Sequence, residues 1–320
     1  MIEQSTPVAL THFVEVADIS AEQAIALLDR ARLFEVEADA GITRTQPTRS
    51  VIQLLFFEDS TRTRTSFEAA ARRLGCDVCL VTEKGSSAAK GETLDDTVIT
   101  LLNTVDPDVV VMRHRENHSA RHISQQPWNT AGIANAGDGT NEHPTQALLD
   151  ALTLRGHFRD HTGDLAGLHV VIVGDIVRSR VARSNAHLLT NLGAQVTVVA
   201  PSTMLPEDID LWPVAVASDL DVVIADADAV MALRIQHERI DTEAGLESLD
   251  YRERFGLTVE RTARMKPGAV VMHPGPMNRG VEIDDAVADG PRSLIRVQVR
   301  NGVWARMAVV EALIAGRQAR

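Results

Sequence analysis

Residues 51–75, VIQLLFFEDSTRTRTSFEAAARRLG, contain a strand, a turn and a helix in direct succession. The apolar run at residues 51–57 predicts a buried strand, and the pattern from about Thr63 to Leu74 predicts a helix that ends at Gly75. Similar apolar runs alternate with helical patterns along the rest of the chain. This alternation is typical of parallel sheets covered by helices, so we predict an α/β fold with doubly wound, mainly parallel sheets.

The same two patterns predict the remaining elements. Ser20 followed by Gln23 is typical of a capping box, and it predicts a helix that continues to about Phe34. We predict further strands at residues 109–112, 133–134, 168–173, 196–199, 230–233 and 269–272. We predict further helices at residues 94–104, 145–158, 181–192 and 303–314.

The length of the chain indicates two domains. A single hydrophobic core usually stops growing at about 250–300 residues, and this chain has 320. A polar segment at residues 159–167 separates a predicted helix from the next predicted strand. We therefore expect the change of domain between residue 145 and residue 167.

Charge and composition argue against several classes of protein. The net charge of -12 repels nucleic acid and anionic membranes, so an anionic ligand needs a local cluster of arginines and lysines. The only cysteines, Cys76 and Cys79, cannot complete a four-ligand zinc site by themselves, and we expect reduced thiols and no metal. No apolar run approaches the ~20 residues of a membrane span, and residues 1–20 do not resemble a secretory signal, so we expect a cytoplasmic protein.

The residues that follow the strand at 51–57 form the first candidate site. Ser60, Thr61, Arg62, Thr63 and Arg64 place hydroxyls and guanidiniums at the start of a predicted helix. Such donors beside a helix N-terminus favour a bound phosphate. The alternative is a capped helix with surface arginines, but capping uses one hydroxyl, and three hydroxyls alternate here with two arginines.

Rival phosphate-binding loops are missing from the sequence. Residues 174–180 lack the glycine spacing of a dinucleotide-binding turn, and no G-x4-G-K-[ST] loop occurs. We therefore predict neither NAD nor ATP, and we expect the protein to work without a cofactor.

Polar residues follow most of the other predicted strands. In doubly wound sheets, ligands bind beyond the carboxyl ends of the strands, so these residues are functional candidates. Any one of these arginines could equally well be a surface residue that is solvated or paired with a neighbouring carboxylate. That explanation does not account for the whole set of polar residues after the strands. The loop at residues 86–92 carries Lys90, and it is either a mobile element that brings charge to an anion or a plain surface loop. The candidates after the strands are Arg113, residues 138–146, Gly174, Asp175, Arg180, Arg234, Gln236 and residues 273–276.

Taken together, these motifs resemble those of the aspartate carbamoyltransferase catalytic chains. Residues 57–64, Phe-Glu-Asp-Ser-Thr-Arg-Thr-Arg, match the carbamoyl phosphate signature F-x-x-S-T-R-T-R, and residues 137–146 are equally distinctive. The resemblance covers essentially the full length. It implies transfer of the carbamoyl group of carbamoyl phosphate to L-aspartate, which is the committed step of de novo pyrimidine biosynthesis.

The resemblance also implies how the chain is divided. Residues 1–147 are expected to bind carbamoyl phosphate, with residues 300–320 packing back on them as a C-terminal helix. Residues 148–299 are expected to bind aspartate, and the active site is expected in the cleft between the two domains. A homotrimer with shared active sites is implied as well, because the loop with Ser86 and Lys90 enters the neighbouring subunit's site in this family. Regulatory chains and a dihydroorotase are possible further partners.

Individual residues receive roles from the same resemblance. Those expected to bind carbamoyl phosphate are Ser60, Thr61, Arg62, Thr63, Ser86, Lys90, Arg113, His143 and Gln146. Those expected to bind aspartate are Lys90, Arg180, Arg234, Gln236, Gly275 and Pro276. Those expected to act in catalysis are Thr63, Arg113, His143 and Lys90. Because no Cys-His or Ser-His-Asp arrangement is evident, we expect direct displacement without a covalent enzyme intermediate.

Several alternatives remain open at this stage. His143 precedes a proline at a helix start, where a structural capping role is the alternative to a catalytic one. Ornithine is the alternative acceptor, although residues 273–276, His-Pro-Gly-Pro, differ from the His-Cys-Leu-Pro usual for that activity. A catalytically silent paralogue is the alternative of a different class. Asp59 and Arg115 depart from the usual pattern, and Asp59 adds negative charge beside the predicted phosphate site.

Overall fold

The computed structural model describes residues 8–42, 49–84, 86–235 and 248–319. The chain divides into two units, each with its own parallel sheet. Unit 1 consists of Met1–Leu152 and Arg300–Arg320, and unit 2 of Thr153–Val299. In the described part of the chain, no helix is both long enough and apolar enough to span a membrane.

Unit 1 contains a five-stranded parallel sheet with the order β1-β5-β4-β2-β3. Its strands are β1 (His12–Phe13), β2 (Val51–Phe56), β3 (Asp77–Thr82), β4 (Val109–His114) and β5 (Gly132–Asp138). The inner strands β2, β4 and β5 are buried along nearly their whole length. Burial on both faces is typical of a parallel sheet covered by helices, and it confirms the predicted α/β class.

Helices follow the strands of unit 1 along the chain. They are α1 (Ala21–Asp39), α2 (Thr61–Arg73), α3 (Leu94–Val105), α4 (Ser119–Ser124) and α5 (Pro144–Phe158). The predicted capping box of α1 is confirmed, because the Gln23 N–H donates to Ser20 Oγ at 3.2 Å and the Ser20 N–H donates to Gln23 Oε1 at 3.0 Å. The helix α1 continues five residues beyond the predicted end at Phe34.

The register of the sheet brings the ends of three strands to one edge. Phe56 of β2 lies beside Arg113 of β4, and His114 of β4 lies beside Asp138 of β5. Since the three strands are parallel, the residues that follow them leave the sheet on the same side. This alignment positions the predicted phosphate-binding turn, Arg113 and the His143 segment near one another.

Unit 2 contains a second five-stranded parallel sheet, with the order β10-β9-β6-β7-β8. Its strands are β6 (His169–Val173), β7 (Gln195–Val199), β8 (Ala215–Ala217), β9 (Ala229–Ala232) and β10 (Val270–Met272). Its helices are α6 (Arg180–Asn191), α7 (Leu220–Val223), α8 (Ser248–Phe255), α9 (Val259–Thr262) and α10 (Asp285–Ala288). The final helix, α11 (Ile295–Gln318), extends beyond the predicted residues 303–314 at both ends.

Candidate functional site

The turn between β2 and α2 carries the predicted phosphate-binding residues. Ser60 has an extended backbone and immediately precedes α2, a helix of 13 residues. In the described residues its side chain makes no capping hydrogen bond to that helix, so the capping alternative does not account for this hydroxyl. Thr61 and Arg62 are exposed and Thr63 is buried. The turn therefore presents hydroxyl and guanidinium donors beside the partial positive charge of a helix N-terminus.

Arg113 lies at the end of β4, directly beside this turn. Its guanidinium donates from Nη1 to the Ala136 carbonyl oxygen at 3.1 Å and from Nη2 to Glu58 Oε1 at 2.5 Å. Only 9% of Arg113 is exposed. The two contacts hold the guanidinium between β5 and the β2–α2 turn, and the pairing with Glu58 was not predicted from the sequence.

His143 completes the group of side chains at this edge of the sheet. Its Nε2 lies 3.4 Å from Thr63 Oγ1, and the residue is 3% exposed. Thr63 and His143 are 80 positions apart in the chain, and the alignment of β2 with β4 and β5 brings them together. The structure thus gathers Thr63, Arg113 and His143, three residues that the sequence assigned to catalysis.

A buried polar network fixes the segment that leads to His143. The Asp138 carboxylate accepts hydrogen bonds from Asn135 Nδ2 at 2.7 Å, Asn141 Nδ2 at 3.1 Å, the Glu142 N–H at 3.1 Å and the His118 N–H at 2.7 Å. Burial raises the pKa of Asp138 above its ordinary value, although these hydrogen bonds act in the opposite direction. The network makes the turn rigid, because four donors from three chain segments converge on one carboxylate.

Gly139 shows how closely the backbone is packed in that turn. Its φ is +47°, and a Cβ added there would lie 1.9 Å from Asn117 Oδ1. The Asn117 amide oxygen accepts the Thr140 N–H at 2.8 Å. A side chain at this position would displace Asn117, so the glycine is required by sterics as well as by backbone conformation.

Gln146 follows His143 in the first turn of α5. The residue is buried, and its Nε2 donates to Asp150 Oδ1 at 3.0 Å, one helical turn further along. Sequence reasoning missed Asp150 as a neighbour of the site. The i, i+4 spacing of Gln146 and Asp150 on a predicted helix was the available signal.

The loop with Ser86 and Lys90 lies on the surface of the single chain. Ser86 Oγ donates to the Glu83 carbonyl oxygen at 3.0 Å, and Lys90 is exposed at the end of a short 3-10 helix, Ser87–Lys90. The two departures from the usual motifs are also exposed. Asp59 is among the exposed residues, and Arg115 forms an ion pair with Glu83.

In unit 2, Arg180 and Arg234 follow two adjacent strands, β6 and β9. Arg180 is the first residue of α6, after Ser179, whose side chain accepts the Ala182 N–H at 3.1 Å. Arg234 is exposed two residues after the end of β9. Gln236 lies outside the described residues.

Gly275 and Pro276 belong to the loop after β10, the neighbour of β9 in the sheet. Gly275 has a φ of +66°, and its N–H donates to His273 Nδ1 at 2.8 Å. Further along the loop, Asn278 Nδ2 donates to the Ile235 carbonyl oxygen. Since Ile235 follows Arg234 directly, this hydrogen bond joins two of the segments that the sequence predicted to bind aspartate.

His273 is enclosed by the protein's own polar groups. Its Nε2 lies 3.2 Å from Glu282 Oε1, and its backbone N–H donates to Gln298 Oε1 at 2.9 Å. Because Nδ1 accepts the Gly275 N–H, Nε2 must carry the proton that is donated to Glu282. The hydrogen bonds of His273 therefore hold the loop that carries Gly275 in place.

Comparison with protein families matches almost the whole chain. Residues 11–156 match the carbamoyl-phosphate-binding domain of the aspartate/ornithine carbamoyltransferases, and residues 166–313 match the aspartate/ornithine-binding domain of the same family.

Individual relatives give the same picture. The aspartate carbamoyltransferase catalytic subunit of Kineococcus radiotolerans is 48% identical over 314 residues, which cover 96% of this chain and 98% of that protein. The corresponding subunit of Streptomyces griseus is 49% identical over 311 residues, 95% of this chain and 94% of that protein. A crystal structure of the Trypanosoma cruzi aspartate transcarbamoylase in complex with carbamoyl phosphate and aspartate superposes with a TM-score of 0.85. It is 31% identical and covers 96% of this chain and 98% of that one.

Proposed function

Because this chain belongs to the aspartate/ornithine carbamoyltransferase family, we propose that it transfers the carbamoyl group of carbamoyl phosphate to the amino group of L-aspartate. The chain is a carbamoyltransferase, and its reaction yields N-carbamoyl-L-aspartate and phosphate in pyrimidine biosynthesis. One observation supports the chemistry most directly: Thr63, Arg113 and His143 lie together at the carboxyl ends of adjacent strands.

We assign the phosphate of the donor to the β2–α2 turn. Ser60, Thr61, Arg62 and Thr63 supply hydroxyl, guanidinium and backbone N–H donors there, and the start of α2 adds its partial positive charge. Ser86 and Lys90 are assigned to the same substrate. They lie on a surface loop, so we propose that they act in a neighbouring subunit of a homotrimer.

The proposed location of the protein in the cell is the cytoplasm.

Catalysis rests on positioning and on electrostatic stabilisation in this proposal. The neutral amine of aspartate attacks the carbonyl carbon, the phosphate leaves with the electrons of the C–O bond, and the proton lost by the amine passes to the departing phosphate. Thr63, Arg113 and His143 stabilise the negative charge that develops on the carbonyl oxygen. The burial of Arg113 and His143 strengthens their interaction with that charge, because the surrounding dielectric is low.

The acceptor is assigned to residues of unit 2, with Lys90 as a further contact. Arg180, Arg234 and Gln236 bind the two carboxylates of aspartate, since guanidiniums are shaped for bidentate contact with carboxylates. The Gly275 and Pro276 segment receives the amine region. The Gly275 N–H donates within its own loop, so its carbonyl oxygen is the group assigned to this contact.

Steady-state assays of the purified chain test the proposal. Carbamoyl phosphate is supplied with either L-aspartate or L-ornithine, and the carbamoylated amino acid is measured. We expect product with aspartate alone. Product with ornithine would overturn the assignment of Arg234 and of residues 273–276, and product with neither acceptor would overturn the proposed activity.

A further inference from the structure

Two buried side chains of unit 1, on different helices, have no assigned role. Asp150 lies one turn after Gln146 on α5 and is 0% exposed. Arg306 of α11 is 3% exposed, and its Nη1 donates to the Gly302 carbonyl oxygen at 3.1 Å. Its guanidinium also lies 5.1 Å from the centre of the Phe67 ring. An ionised residue with so little solvent requires a nearby opposite charge.

Asp150 supplies that opposite charge. The pKa of Arg306 is lowered to about 9, and burial is the main cause. The Asp150 carboxylate acts in the opposite direction, and the Arg113 guanidinium acts in the same direction as burial. At neutral pH Arg306 therefore remains a cation, and Asp150 is the carboxylate that acts on its charge. Asp150 and Arg306 are thus two buried groups that interact electrostatically, and the Arg113 guanidinium acts on Arg306 as well.

The hydrogen bond to Asp150 determines which way the Gln146 amide faces. A carboxylate can only accept hydrogen bonds, so the group that Gln146 turns towards it must be the NH2 end. The Oε1 atom then occupies the opposite side of the amide. Gln146 consequently offers an acceptor, and not a donor, to a ligand.

We propose that Asp150 and Arg306 are positioning residues that hold Gln146 Oε1 as an acceptor for the amino group of carbamoyl phosphate. This inference rests on the proposed function. It assigns to the pair a specificity role: the site distinguishes a carbamoyl group, which has two N–H donors, from an acetyl group, which has a methyl group in their place.

The expected discrimination follows from the cost of an unsatisfied acceptor. With acetyl phosphate bound, Gln146 Oε1 would face a methyl group in a water-poor site and lose its hydrogen bond. Sites built to hydrogen-bond a substrate group reject analogues that lack it for this reason. If the amide is free to rotate, carbamoyl phosphate must orient it on binding and loses affinity, whereas acetyl phosphate gains no hydrogen bond in either orientation, so the discrimination falls.

The first test compares the wild-type chain with Asp150→Asn. The KM for carbamoyl phosphate and the inhibition constants of acetyl phosphate and inorganic phosphate are measured at saturating aspartate. Since asparagine presents both a donor and an acceptor to Gln146, we expect the preference for carbamoyl over acetyl phosphate to fall about tenfold. The inhibition constant of inorganic phosphate is expected to stay unchanged, because the β2–α2 turn is not altered.

A second variant provides an independent test in case Asp150→Asn does not fold. A Cβ added at Gly302 would lie 2.5 Å from Arg306 Nη1, so Gly302→Ala displaces the guanidinium and leaves every charge in place. Alanine is also the better helix former, which favours folding of α11. We expect the preference for carbamoyl over acetyl phosphate to fall in this variant too, but by less than in Asp150→Asn. The double variant Asp150→Asn/Arg306→Met removes both buried charges and is expected to regain stability without regaining the preference.

Glu311→Gln is the matched control on the same helix. Glu311 forms an ion pair with Arg30 at 2.6 Å, and its loss is expected to leave the preference at the wild-type value. The inference is overturned if Asp150→Asn and Gly302→Ala keep the wild-type preference, or if the constant for inorganic phosphate rises in parallel. Absence of carbamoyl transfer in the wild-type chain would instead overturn the proposed function.

Discussion

His143 and His273 stand in similar sequence contexts but differ in what surrounds their rings. Each precedes a proline and follows a strand of a parallel sheet, and each is almost fully buried. The His273 ring accepts the Gly275 N–H through Nδ1 at 2.8 Å and contacts the Glu282 carboxylate through Nε2. The Nε2 of His143 instead faces the hydroxyl of Thr63, a residue of the proposed phosphate-binding turn.

The difference shows that the partner of a histidine, and not its sequence motif, indicates its role. Both His273 and Glu282 are enclosed, with side chains 0% and 1% exposed, so their hydrogen bond stabilises the loop that carries Gly275. The 3.4 Å separation between His143 and Thr63 is longer than an ideal hydrogen bond. Contacts of this kind tighten when substrate binds to a catalytic site.

The largest expected effect is on turnover in His143→Ala. Loss of one oxyanion donor typically lowers kcat on the order of 100-fold. Steady-state assays with aspartate measure this change, and a thermal melt is expected to show that the fold persists. Near-normal turnover would mean that His143 is a second structural histidine and would remove the contrast with His273.

In His273→Ala we expect a loss of stability in place of a loss of turnover. The substitution removes one of two donors to Oε1 of the buried Glu282 carboxylate and leaves the Asn278 N–H as the other, which costs about 2 kcal/mol of unfolding free energy. Urea unfolding followed by circular dichroism measures the loss. The matched variant His273→Gln can both accept the Gly275 N–H and donate to Glu282, so it is expected to recover part of the stability. Equal losses in the two variants would show that the hydrogen bonds are not the cause.

Sequence patterns predicted the inner strands well because burial on both faces leaves long apolar runs. The predicted strand at residues 196–199 corresponds to Gln195–Val199, and the one at 168–173 corresponds to His169–Val173. Three edge strands, β1, β3 and β8, were missed. The strand β1 has only two residues, and β3 and β8 are half-exposed or exposed, so none of them carries a comparable apolar signal.

The positions of Thr63, Arg113 and His143 near one another, in the proposed site for carbamoyl phosphate, were predictable for a related reason. Its residues follow inner strands, and parallel strands bring their carboxyl ends to one edge of a sheet. The interaction of Arg306 with Asp150 was not predictable, because the two residues are more than 150 positions apart in the chain. Spacing along the chain carries no information about such a pair.

Arg234→Ala tests whether the acceptor residues act separately from the donor residues. We expect the KM for aspartate to rise about tenfold, because a charge-assisted hydrogen bond to a carboxylate is lost. The KM for carbamoyl phosphate is expected to stay unchanged. Arg252, which pairs with Asp284 at 2.8 Å, provides the control: Arg252→Ala should leave both constants unaltered. A parallel rise in the two constants would contradict the separation into a donor and an acceptor region.

The smallest effect is expected from His114, a third histidine, located at the end of β4. Its ring packs edge-on against Phe57 at 5.6 Å, and its Nδ1 accepts the Glu116 N–H at 3.1 Å. Burial lowers the pKa of His114 below its ordinary value of 6.5. Since the unfolded chain then binds the proton more readily than the folded chain, the contribution of His114 to stability is complete above pH 6.5 and declines as the pH falls towards the lowered pKa.

His114→Asn removes this titration and retains an acceptor for the Glu116 N–H. The unfolding free energy of the variant is therefore expected to decline less than that of the wild-type chain between pH 7 and the lowered pKa. Urea unfolding at a series of pH values measures the difference. An unchanged slope would show that burial does not disfavour the charged form of the His114 ring. The distinction drawn between His143 and His273 would then apply only to histidines that are almost fully buried.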